Sequence, residues 1–175
     1  MIVWIDGTFG AGKTAIANEL GKRYSKSEVI DFDEFVKNVK SENPIELFFG
    51  KRYPEDKRCY IDALIVELER KLKQDDNRLF IISISLITDY TKDHLVEYFK
   101  SKTETVHIIL CPSKEKLLER IMSQDGRDCD LAVTYYEEAT LYLRNHYIEA
   151  IRIDTDNMTI EDVASCVSKH IKDRG

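Results

Sequence analysis

"VWIDGTFGAGKTAIA", residues 3–17, sets Gly7, Gly10 and Gly12 between a short apolar run and a Lys13-Thr14 pair. The run "IVWI" is β-branched and aromatic and reads as a buried strand broken at Asp6-Gly7. From Thr14 onward Ile16, Ala17 and Leu20 share one face, which predicts a helix ending near Gly21. Between strand and helix, Gly7-Thr8-Phe9-Gly10-Ala11-Gly12-Lys13-Thr14 satisfies G-x-x-x-x-G-K-[ST] in full. Glycines tolerate positive φ and carry no Cβ, so successive backbone N–H groups can turn inward around an anion. The helix N-terminus adds its positive dipole end. Lys13 is expected to neutralise β- and γ-phosphates, and the Thr14 hydroxyl to hold Mg²⁺. A plain glycine-rich turn is the alternative, and the full pattern in this context argues against it. All eight residues are candidate ATP-binding residues.

Outward from this loop, apolar runs alternate with helical patterns. "SEVIDFDEF" is a second strand stopped by acidic residues, and residues 34–74 read as two helical pieces interrupted around Asn43-Pro44 and Gly50 to Pro54. "RLFIISISLI" is apolar nearly throughout and predicts a central strand covered on both faces. A helix over 91–101, the strand "TVHIIL", the helix "SKEKLLERIM", a polar break and a helix over 131–146 follow. "IEAIRID" is the last strand and "TIEDVASCVSKHIK" the last helix, with Thr159 and Asp162 at capping-box spacing. This alternation predicts an α/β fold, a parallel sheet between helical layers.

The chain has 175 residues, a length expected for a single domain over 1–175, with no low-complexity tract or Gly/Ser/Pro-rich linker. Its net charge of −6 disfavours an extended nucleic-acid groove. The four cysteines, Cys59, Cys111, Cys129 and Cys166, lack zinc-site or disulfide spacing, and Cys111 and Cys166 sit in apolar patterns. The four histidines, His94, His107, His146 and His170, form no ligand pattern and read as surface or core residues. No signal-peptide pattern opens the chain, and "LFIISISLI" is too short to span a bilayer, so a soluble cytoplasmic protein is expected.

A strand-end D-x-x-G and an N-K-x-D base-reading motif are absent, which weighs against a GTPase switch. Room for a motor or recombinase core is lacking too. The whole alternating pattern resembles the small-molecule and nucleotide kinases of the P-loop class. "IVWIDGTFGAGKT", with weaker support from "IDTDN", looks most like the tunicamycin-resistance ATP-binding proteins. The resemblance implies a three-layer P-loop fold, a five-stranded parallel sheet of order 2-3-1-4-5, a helical substrate-side segment over 34–76 and a lid over 112–131.

Asp31 and Asp33 stand at the C-terminal end of the second strand, the edge where open α/β sheets hold ligands. If the segment stays extended, their side chains share one side of the chain. Shikimate kinases carry a similar D-x-D, which implies Asp31 near Mg²⁺ and Asp33 on the acceptor hydroxyl; helix capping is the alternative role. Many P-loop proteins end the strand beside the loop strand with a Mg²⁺-orienting Asp, and here Ser83 and Ser85 stand instead. Ser85 is a candidate for substrate or a metal-bound water. Arg120, late on its helix without an acidic partner at helical spacing, and Arg127 in the polar break are candidate lid arginines, placed to spread charge on transferring phosphates. Arg144 is either a further phosphate contact or a surface residue. Thr155 and Asp156 of "IDTDN" are candidates for the adenine side, or for a turn and helix entry. Between strands 2 and 3 aromatics interleave with basic residues; most read as helix-packing aromatics with solvated basic residues, and Arg52 and Arg58 are the candidates for acceptor recognition.

These readings converge on ATP and Mg²⁺ as cofactors and on γ-phosphoryl transfer to a hydroxyl of a small-molecule acceptor, by a monomer or homodimer. Nucleoside or nucleotide phosphorylation is one alternative. ATP-dependent sequestration of a ligand without transfer is the other, and binding in that reading leaves the ligand unmodified.

Overall fold

The structure, a computed structural model, describes residues 1–39, 58–123 and 129–172. Five strands form one parallel sheet: β1 (Ile2–Gly7), β2 (Ser27–Asp31), β3 (Leu79–Ser83), β4 (Thr105–Cys111) and β5 (Ile151–Asp154), in the order β2-β3-β1-β4-β5. This is the predicted order. Its centre is β1, with Ile2 opposite Phe80 on one side and Thr105 on the other. Every residue of β1 is buried, as a strand covered on both faces must be.

Alternation along β1 divides the core. Ile2 and Trp4 face one layer, made by α2 (Phe32–Asn38), α3 (Arg58–Gln74), the segment 89–100 and α7 (Cys129–His146). Val3 and Ile5 face the other, made by α1 (Lys13–Arg23) and α8 (Ile160–Lys172). In the first layer Leu64 and Leu68 of α3 are fully buried, and truncating either to Ala would cost about 2–5 kcal/mol. Trp4 packs its ring against Phe99 at a centroid distance of 6.3 Å.

Several boundaries differ from expectation for physical reasons. α1 runs past Gly21 to Arg23, because Gly21 serves close packing and not termination: a Cβ there would meet Val29 Cγ2 at 2.5 Å. The second strand stops at Asp31, whose carboxylate accepts hydrogen bonds from the Asp33 and Glu34 amides and so starts α2. Residues 89–100 form one continuous coil in three parts: α4 (Asp89–Thr91), a π-helical turn (Lys92–Val96) and α5 (Glu97–Lys100). The capping box before α8 is present with Asp as its acid. Thr159 Oγ1 accepts from the Asp162 amide, and the Thr159 amide donates back to Asp162 Oδ2. Among the described residues no helix is long and apolar enough to cross a membrane.

Candidate functional site

Three glycines shape the turn from β1 into α1, with φ of 146° at Gly7, 82° at Gly10 and 95° at Gly12. Only glycine enters such conformations without strain. Space imposes a second constraint at Gly10, where a Cβ would lie 2.8 Å from the Ile121 side chain of α6 (Lys114–Met122). That contact seats α6 directly on the loop. The N-cap of α1 is Gly12 itself, so no side chain closes the helix N-terminus. Within the loop, Thr8 and Ala11 are buried while Phe9 is 39% exposed.

Two side chains follow the loop into α1. Lys13 reaches back and donates from Nζ to the carbonyls of Gly7 (3.1 Å) and Thr8 (2.9 Å). The Thr14 hydroxyl donates to Asp31 Oδ2 at 2.6 Å and stands 3.4 Å from Ser83 Oγ. The register of β2 against β3 sets Asp31 opposite Ser83, which brings both to the foot of α1. Asp31 therefore caps α2 with one oxygen and receives Thr14 with the other. Asp33 takes a different course from the shared side expected of an extended chain. It lies in the first turn of α2, exposed, and its carboxylate makes no hydrogen bond among the described residues.

Ser85 donates to the Gly7 carbonyl at 3.1 Å, so its hydroxyl is tied to the loop backbone in this arrangement. The serine beside Thr14 is Ser83, which is 4% exposed. Behind the loop lies a contact that the sequence reading missed: the fully buried carboxylate of Asp6 meets His107 Nε2 at 3.0 Å. Its signal was available, as a charged residue in an otherwise apolar strand and a lone histidine in another.

Arg120 lacks a helical acidic partner, as its spacing indicated, yet it is occupied. Nη1 donates to the Ala11 carbonyl (3.3 Å) and Thr155 Oγ1 (3.1 Å), and Nη2 to the Thr155 carbonyl (2.6 Å). The guanidinium thus ties the phosphate-type loop to the turn after β5. Asp156 accepts from the Ser113 amide at 2.7 Å, and that bond holds its carboxyl below the usual range. Arg58 opens α3 with its guanidinium 5.1 Å from the Tyr90 ring centroid. Arg144 is exposed and lines, with Thr8, Cys111 and Tyr136, a cavity of about 320 Å³ between α7 and the β4–β5 edge. Burial pushes the Cys111 thiol up, so that group stays protonated at neutral pH. Arg52 and Arg127 lie outside the described residues, as does the middle of the expected acceptor segment and of the lid.

The residues fit a nucleotide with Mg²⁺ on their own chemistry. Positive-φ glycines, a lysine ammonium and an uncapped helix N-terminus suit polyphosphate. Thr14 and Asp31 offer two hard oxygens 2.6 Å apart, the small protein share that Mg²⁺ takes when phosphates complete its shell.

No protein-family model matches the chain. It is 24% identical over 163 residues to a cytidylate kinase of Pyrobaculum calidifontis, covering 93% of this chain and 82% of that protein. Among solved structures it resembles the Deinococcus radiodurans tunicamycin resistance protein, with a TM-score of 0.74 and 21% identity over 97% of this chain and 94% of that one. An unliganded sugar kinase from a Janibacter species superimposes with a TM-score of 0.72 and 17% identity, covering 98% and 94%. The fold is that of the P-loop kinases.

Proposed function

We propose that the protein transfers the γ-phosphoryl group of ATP to a hydroxyl of a small molecule. The observation that carries this reading is the Thr14–Asp31 contact of 2.6 Å at the foot of the glycine loop, with the Lys13 ammonium on the loop itself. The nucleotide would supply the phosphoryl group, and Mg²⁺ held by Thr14 and Asp31 would neutralise its charge. Lys13 binds the β- and γ-phosphate oxygens, and the loop amides of Thr8 to Thr14 orient them. Asp33, whose carboxylate carries no hydrogen bond among the described residues, orients the acceptor hydroxyl and takes its proton as the new O–P bond forms and the bond to the departing diphosphate breaks. Arg120 ties the loop to Thr155 on the adenine side, where Asp156 is held by the Ser113 amide; Arg127 would add its charge to the transferring phosphates. Most of the rate would come from positioning and preset charge. Arg58 and Arg52, both in the expected acceptor segment of the sequence, would serve acceptor recognition, and Ser85 is a further candidate for acceptor contact.

Ser83 favours a second reading. A hydroxyl stands beside Thr14 where many P-loop proteins place a metal-orienting carboxylate. Nucleotide-dependent binding of a ligand without transfer is compatible with that substitution, and the likeness to a tunicamycin resistance protein is consistent with it. Likeness to a cytidylate kinase keeps nucleotides among the acceptors.

One screen separates these readings. Purified protein with ATP–Mg²⁺ is offered pools of nucleosides, nucleotides, sugars, hydroxylated carboxylic acids and sugar-containing antibiotics, with Lys13→Ala as control. Acceptor-dependent ADP release with a phosphorylated product, lost in the control, supports the kinase. A ligand retained only with ATP and recovered unchanged sinks transfer in favour of sequestration.

A further inference from the structure

A carboxylate withdrawn from water is costly unless its oxygens are bonded. Asp6 is such a group, fully buried at the last position before the glycine loop, and both of its oxygens are used. Oδ1 accepts from the Gly7 amide (2.6 Å) and the Leu86 amide (3.1 Å), and Oδ2 meets His107 Nε2 (3.0 Å). A single oxygen therefore joins the first amide of the loop to the segment leaving β3. Two further bonds tie the same strands: the Ile84 amide donates to the Ile5 carbonyl at 3.2 Å, and Ser85 Oγ to the Gly7 carbonyl at 3.1 Å. Both peptides flanking Gly7 are thereby pinned, one through its N–H and one through its carbonyl.

His107 lies on β4 opposite Trp4 and shares the α7 face of the sheet with Asp6. Its ring meets Tyr147, the residue that follows α7, edge-on at 4.6 Å, so the end of α7 holds the imidazole against the carboxylate. Tyr142 and Cys111 are the other titratable groups on this side whose ionisation Asp6 opposes. With Nε2 protonated, His107 donates to Oδ2 in either charge state and leaves Oδ1 to the two amides.

We infer that Asp6 is a positioning residue for the nucleotide loop: its carboxylate, braced by His107, fixes the Gly7 backbone against the segment leaving β3. The inference rests on the reading of residues 7–14 as a nucleotide site. It does not depend on transfer to any acceptor. A group that served the fold alone would alter thermal stability when removed and leave the affinity for nucleotide where it was.

The test is calorimetric titration of the full chain with ATP–Mg²⁺, alongside thermal unfolding and amide NMR. Asp6→Asn keeps an acceptor at Oδ1 and can donate to a neutral His107, so its Kd stays within about threefold of wild type. The Gly7 and Leu86 amide protons should both move upfield in it, because a charge-assisted bond has become a neutral one. Asp6→Ala removes the acceptor and should raise Kd at least about tenfold, the equivalent of about 1.4 kcal/mol. A folded Asp6→Ala protein that binds ATP as wild type does overturns the inference, whatever its melting temperature. If that variant does not fold, Asp6→Asn decides: unmoved Gly7 and Leu86 resonances overturn the inference, and moved ones support it. Wild type that binds ATP but phosphorylates nothing removes the kinase reading and leaves Asp6 in its role. Wild type that binds no nucleotide removes both.

Discussion

Thr14 Oγ1 and Asp31 Oδ2 are 2.6 Å apart, and through this contact the first turn of α1 is joined to the end of β2. The partner oxygen of Asp31 accepts from the amides of Asp33 and Glu34. One carboxylate thus has a folding role and a proposed metal role that mutation can separate. Asp31→Asn keeps an acceptor for the cap but removes the charge, so unfolding should change by less than about 1 kcal/mol. Phosphoryl transfer should fall by about 100-fold or more, since fixed charges beside the transferring group act most strongly there. Steady-state kinetics against urea unfolding checks the pair of outcomes. Full turnover by Asp31→Asn would remove it from the metal site.

Arg120 gives a prediction of the same kind at the other end of the loop. Its planar fork donates at once to Ala11, to the Thr155 hydroxyl and to the Thr155 carbonyl. A lysine carries similar charge without that geometry. Arg120→Lys should therefore lose about 1–2 kcal/mol of stability and weaken ATP binding together. Stability and nucleotide Kd unchanged in the variant would show that the three contacts carry little.

The glycine loop and the alternation of layers were legible because each has a local signature: a spaced motif, apolar runs, helical periodicity; the sheet order came from the family resemblance that the loop carries, not from the pattern itself. The extent of α1 was not, because Gly21 looks like a helix end along the chain and is a contact residue across it, against Val29. Asp31 and Asp33 read as a pair on one side of a strand. Capping turned the chain into a helix after Asp31 and parted them. Arg120 seemed available to an anion because only helical neighbours were counted, whereas its partners are 35 and 109 residues away in sequence. Asp6 and His107 each stand out as a polar residue in an apolar strand, but they are 101 residues apart and neither strand identifies the other as its partner. Contacts of this kind arise from strand order and register, which a motif does not encode.

Gly10 and Gly12 share a positive φ and differ in surroundings, which allows strain and crowding to be weighed separately. A Cβ at Gly10 meets the Ile121 side chain at 2.8 Å, whereas at Gly12 it meets nothing within 4 Å. Gly12→Ala should cost the backbone term alone, about 1–2 kcal/mol. Gly10→Ala adds overpacking against α6, for a further 1–3 kcal/mol or so. Chemical denaturation of both variants without nucleotide checks the ranking, and an equal loss would mean that α6 yields freely.

Acid stability offers a prediction away from the site. Arg70 donates from Nη2 to Glu67 Oε1 at 2.7 Å and from Nε to Oε2 at 2.9 Å, and Lys71 lies 3.2 Å from Oε1. The Arg70 bonds foremost, with Lys71, lower the Glu67 carboxyl from 4.5 to about 2. A depressed folded value means that the native state prefers the ionised form. The resulting stabilisation is fully present above pH 4.5 and is lost as pH falls toward 2. Because the pair is partly solvated, the gain is small, at most about 1 kcal/mol. Glu67→Gln should therefore be less stable than wild type at pH 6, and the gap should narrow steadily as pH is lowered from 4.5 toward 2. Urea unfolding at each pH measures it, and 1 M salt should narrow the pH 6 gap by screening. A gap that widened on acidification would contradict the sign and place the stabilising charge on another group.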